Sequence, residues 1–155
     1  MEPAFREFVE TLHPSFERLI QMVPLKMSKL PTNLPAKCIY LLSEGESHLY
    51  VGRTRKLRQR LRQHSVAGAQ HNQAVFAFKL AREVTGRLTA AYSATGSRRA
   101  LCTEPAFAEA FRASKARVRK MDLRFVEEWD PTRQALLEIY VSVFLRTKYN
   151  DFDTH

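Results

Sequence analysis

Two tyrosines, an arginine, a histidine and a glutamate are the residues of this 155-residue chain whose types and spacing can do chemistry. Tyr40 and Tyr50 lie in two short runs of β-forming residues, Lys37–Ser43 and His48–Thr54, around Glu44-Gly45-Glu46-Ser47. That arrangement reads as a β-hairpin. A turn centred on Gly45 sets Tyr40 directly opposite Tyr50, two phenols side by side on one face. A one-residue slip would put them on opposite faces. The pair is either a stabilising cross-strand contact or part of a site.

A basic helix follows at about 55–64. On a wheel of ~100° per residue, Arg60 and His64 border the Leu57/Leu61 stripe, while Arg55, Arg58 and Arg62 fall on the other flank. Arg60 there is either a surface cation or a guanidinium held for bidentate phosphate recognition. His64 is equally readable as a C-terminal residue favoured by the helix dipole. Glu138, on a late helix, shares a narrow polar strip with Gln134 and Ser142. The strip is either a solvent stripe or the place of a cleft-facing metal ligand, since hard cations need oxygen donors.

The remaining elements must position these groups. Residues 3–23 have helical apolar spacing divided by Pro14, and 24–36, with three prolines, read as a connector. A helix is expected at about 71–84. Residues 86–103 read as a loop, followed by a helix at 104–119 with Thr103 as N-cap and Pro105 behind it. Residues 120–128 alternate as a strand. Asp130-Pro131 opens a last helix to about 147. No internal repeat or low-complexity segment is visible. The class is α+β: a small three-stranded antiparallel sheet flanked by helices, with an N-terminal helical extension over 1–36 and a core domain over 37–155 that carries a helical insertion near 86–119.

Charge narrows the partners. Lys and Arg number 25 against 16 Asp and Glu, for a net +9 and a pI near 9.9. Residues 53–64 hold six basic residues and no acid, and 98–120 hold seven against Glu104 and Glu109. Two basic patches favour a polyanion. The cations placed on nucleic acid are Arg53, Arg55, Lys56, Arg58, Arg62, Arg117, Arg119 and Lys120, with His71 beside them. No stretch approaches the ~18 apolar residues of a membrane span. The N-terminal residues lack a secretory pattern, and Cys38 and Cys102 have no metal-type or disulfide spacing. A cytoplasmic location is expected.

These pieces, in order, resemble the GIY-YIG nucleases. Cys38-Ile39-Tyr40, Leu49-Tyr50-Val51-Gly52-Arg53-Thr54 and Leu57-Arg58-Gln59-Arg60-Leu61-Arg62-Gln63-His64 match that signature. Leu136-Leu137-Glu138 and Lys148-Tyr149-Asn150 follow at approximate family spacing. The resemblance covers roughly 37–83 and 120–151. It implies endonucleolytic hydrolysis of DNA phosphodiesters with one Mg²⁺ or Mn²⁺. Tyr40, Tyr50 or His64 would then take a proton from water, and Arg60 would stabilise charge on the phosphoryl oxygens. Glu138 would anchor the metal, Asn150 would hold backbone or orient a tyrosine, and His71 would serve either positioning or proton transfer or a structural role at a helix start. Phenols ordinarily ionise near pH ~10, so a nearby cation must favour the phenolate.

Cys38 stands where the family usually has glycine, which predicts a local backbone difference. The insertion is expected to grip nucleic acid beyond the cleavage point. The N-terminal helices either pack on the sheet or mediate a homodimer. Two competing readings are a catalytically silent nucleic-acid-binding module on the same fold and an interaction protein built on residues 3–23.

Overall fold

The computed structural model describes residues 1–88 and 96–152. The expected loop at 86–103 falls partly on 89–95, outside the described residues. The chain divides into two compact units, residues 1–58 with 121–155, and residues 59–120.

In the first unit, Glu2 caps α1 (Pro3–Glu10) by accepting from the amides of Ala4 and Phe5, and α2 (His13–Gln21) begins at the Pro14 break. Both helices were legible from apolar spacing. The sheet has four strands, not three: β1 (Leu25–Lys26), β2 (Cys38–Glu44), β3 (Ser47–Thr54) and β4 (Asp122–Glu127), ordered β1-β4-β2-β3 and antiparallel. The extra strand is a two-residue piece inside the expected connector. A pair of residues is too short to show alternation.

One face of the sheet carries Ile39, Leu41, Val51 and Val126 into a core with Leu12, Phe16 and Leu19 of the N-terminal helices and Leu137 and Val141 of α7 (Pro131–Leu145). The N-terminal helices therefore belong to the sheet's own core. Cys38 is buried in regular β2 pairing with Thr54 and Glu127, so replacing glycine there has not disturbed the strand. Burial, with Glu127 nearby, pushes its thiol up to about 12, leaving it protonated and inert.

The second unit runs from inside α3 (Leu57–Ser65) through α4 (Val75–Thr85), α5 (Arg98–Leu101) and α6 (Pro105–Val118). The helix expected from 71 begins only at Val75, because the backbone of 70–74 is spent on a turn closed onto the Gln70 carbonyl. Thr103 does not cap α6: its hydroxyl donates to Ala100 O, and Glu104 occupies the cap position. Phe78 packs tilted against Phe107 and edge-on against Phe111 at ring distances of 5.0 and 5.7 Å, joining α4 to α6. Among the described residues no helix is long and apolar enough to cross a membrane.

Candidate active site

Tyr40 and Tyr50 do share a face, but not as directly opposed residues. Gly45, at φ +57°, and Glu46 form a two-residue turn, so Glu44 pairs with Ser47 and Ser43 with His48. Leu49 is then an extra residue: Leu42 pairs with Tyr50, and Tyr40 with Gly52. Without that bulge Tyr50 would oppose Leu41 and lie on the far face from Tyr40. With it, the two tyrosines become diagonal neighbours, ring centres 6.3 Å apart.

The position opposite Tyr40 is empty of side chain, and the ring uses the space. A Cβ built on Gly52 would lie 2.5 Å from Tyr40 Cζ. Gly52 is thus required by the close approach of a phenol to its backbone, not by its dihedral angles. Tyr40 is 1% exposed and Tyr50 half-buried, so Tyr50 is the more accessible phenol of the pair.

Asn150 works on the backbone between them. Its Oδ1 accepts from Val51 N–H at 2.8 Å and its Nδ2 donates to Val51 O at 2.7 Å. It therefore pairs with the open edge of β3 as a strand would. Tyr149 N–H adds a bond to Leu49 O, and Thr147 hydroxyl, itself bonded to Ser142, donates to Asn150 Oδ1. This chain of contacts fixes the Leu49–Gly52 stretch that carries the bulge.

Glu138 sits on α7 with its side chain 19% exposed, and its Oε2 meets Arg53 Nε at 3.0 Å. The polar strip of this helix turns inward. Gln134 and Ser142 are buried, with Gln134 donating to Glu128 O, while Ile139, Val143 and Phe144 face solvent. The solvent-stripe reading is therefore overturned. By strand alternation Arg53 stands on the face of β3 opposite Tyr50, so Glu138 reaches β3 from the other side of the sheet. Arg53, expected on nucleic acid, is held by the carboxylate. Arg58 is likewise engaged, donating to the carbonyl oxygens of Pro31 and Thr32.

In the second unit, Arg60 is half-buried and donates from Nη1 to Gln73 O at 2.9 Å. His64 is fully enclosed, its ring 6.5 Å from Phe76. Burial, aided by the Arg60 charge, drives its pKa down to about 3, so it is neutral in the physiological range. It is not a solvent-facing helix-end cation. His71 is half-buried, 6.4 Å from Phe78. Arg55, Lys56, Arg62, Arg117, Arg119 and Lys120 all lie at the surface.

Among the described residues no three His, Cys, Asp or Glu side chains cluster as a metal site. The donor set here is one partly enclosed carboxylate. That fits Mg²⁺, which keeps several waters and takes one or two carboxylates, better than Zn²⁺. Sequence reading missed the bulge at Leu49, the tie from Thr147 to Asn150 and the Arg53 partner of Glu138. Only Asn150 carried a signal, through its family position. Residues 36–90 match the family model of the GIY-YIG catalytic domain. Members of that family are typically endonucleases that use divalent cations. No curated protein and no solved structure matches the chain.

Proposed function

From the GIY-YIG catalytic domain matched over residues 36–90, we propose that this protein is a metal-dependent endonuclease hydrolysing DNA phosphodiester bonds. The observation that carries the proposal is the tyrosine pair. A bulge and a bare glycine together hold two phenols on one face, and a merely structural aromatic pair needs neither. In this reading Tyr50 takes or relays the proton of the attacking water, and the buried Tyr40 fixes its position. Arg60 stabilises charge developing on phosphoryl oxygens, and His64, neutral and enclosed beside Phe76, is left out of the proton transfer. Asn150 is a positioning residue, acting through the backbone of Val51. Glu138 would hold one Mg²⁺ or Mn²⁺ with water completing the shell, and the cation would supply positive charge that polarises the phosphate. Arg53 balances the carboxylate charge.

The test is incubation of plasmid DNA and oligonucleotides with the purified chain and Mg²⁺ or Mn²⁺, beside EDTA and Glu138→Ala controls. Cleavage is expected only with metal, falling about 100-fold or more in Tyr50→Phe and Glu138→Ala. DNA binding without cleavage under both metals would overturn the enzyme reading in favour of a silent binding module.

A further inference from the structure

The second unit contains a cavity of about 580 Å³ that the nuclease reading does not use. Gln70, His71, Arg99, Cys102, Thr103 and Phe111 line it. These residues come from the turn before α4, from α5 and the turn that follows it, and from α6. The buried Lys115 donates to the carbonyl oxygens of Ala67 and Ala69, at 2.5 and 2.9 Å. Those bonds tie down the turn that presents Gln70 and His71.

In the lining Phe111 supplies aromatic surface and Arg99 a guanidinium, with further rings and cations packed behind them. Phe111 packs edge-on against Phe78, and the His71 ring lies 6.4 Å from the same phenyl. Lys115 stands 4.4 Å over the Phe111 ring, and Arg82 and Arg98 stand 5.4 and 5.8 Å over Phe78. Nε and Nη2 of Arg82 are buried and meet no hydrogen-bond partner among the described residues. Among the described residues, none that lines the cavity is acidic. Residues 59–120 hold twelve Lys and Arg against three Asp and Glu, so this unit alone carries +9 and the rest of the chain is neutral. Burial raises the pKa of Cys102, which disfavours a thiolate nucleophile there. The ligand this chemistry selects is anionic and planar, and the volume is within the ~300–1,000 Å³ of small-ligand sites.

We propose that the cavity takes one unpaired nucleotide, its base against Phe111 and His71, its edge read by the Gln70 amide and its phosphate on Arg99. The inference rests on the nuclease reading for its main source, an unstacked base of the DNA strand, although a free mononucleotide offers the same chemistry. A stacked, paired base cannot enter such a site, so the substrate class it points to is DNA with a single-stranded or extrahelical base.

The experiment uses the full chain in EDTA, with 2-aminopurine placed in a single strand, in a duplex bulge or in a fully paired duplex. dAMP and inorganic phosphate are titrated separately by calorimetry. The expected result is a 2-aminopurine fluorescence change for the first two DNAs and not the third, with binding at least 10-fold weaker in Gln70→Ala and in Arg99→Ala. Circular dichroism melts check that both variants fold. A response to dAMP without one from either strand assigns the site to free nucleotide and upholds the cavity's chemistry. Phosphate binding as tightly as dAMP overturns it, and so do two folded variants that bind like wild type. Metal-dependent cleavage without any nucleotide signal removes this inference and leaves the nuclease standing. Nucleotide signals without cleavage do the reverse.

Discussion

Gly52 lies beneath a phenol, and that contact leaves no room for a single methyl. In Gly52→Ala the new Cβ collides with the Tyr40 ring. The expected cost is about 1–3 kcal/mol, the usual penalty of overpacking, or displacement of Tyr40 with loss of cleavage. Denaturant melts and plasmid nicking measured together tell these apart. His64 makes a second prediction. Its folded pKa is pushed down to about 3, whereas an unfolded histidine titrates near 6.5. Between those values the unfolded chain binds a proton that the folded chain refuses, so stability falls as pH drops through that window. The slope from this residue is at most about 1.4 kcal/mol per pH unit, and it vanishes above pH ~7. Thermal melts from pH 7 to 4 should show the loss, and His64→Gln should flatten it.

At the level of elements, β3 is an edge strand closed by a side chain from the C-terminal segment. Asn150→Ala removes both bonds to Val51 and strands its N–H and C=O. A loss of about 1–3 kcal/mol is expected, with faster hydrogen exchange confined to Leu49–Gly52 and reduced cleavage. Unaffected exchange there would sink the positioning role. What the chain disclosed in advance follows the same logic. Asp130 and Pro131 announce α7 because capping is local: the Asp130 carboxylate accepts from Arg133 N–H. Pro14 announces the α1–α2 break for the same reason. The register of β3 was not legible. The turn and the bulge at Leu49 are separate steps, and the second is supported by Thr147, Tyr149 and Asn150, about 100 residues away. Nor was the orientation of α7. An apolar wheel predicts its Ile139–Val143–Phe144 face inward, but the edge of β3 needs polar partners, and Glu138 and Ser142 supply them directly or through Thr147.

Across the whole chain, charge and fold are divided unequally. All of the net positive charge belongs to residues 59–120, while the unit holding the tyrosines is neutral. Binding of DNA is therefore expected to weaken steeply with salt, about 10³-fold between 50 and 200 mM if six or more phosphates are contacted. Filter binding at several salt concentrations gives the slope, and a flat response would show that the cationic unit does not meet the strand. Charge asymmetry was visible in the sequence, but its concentration in one unit was not, because the boundary falls within α3 rather than at the expected insertion. β2 lies between β3 and β4, pairing Cys38 with both Thr54 and Glu127. A peptide of residues 36–90 keeps one of those neighbours, and an isolated two-stranded hairpin is marginal in water. The stretch by which the family is recognised is thus shorter than the stretch that can inherit its shape, and a graft cut at those limits would transplant a signature without its scaffold.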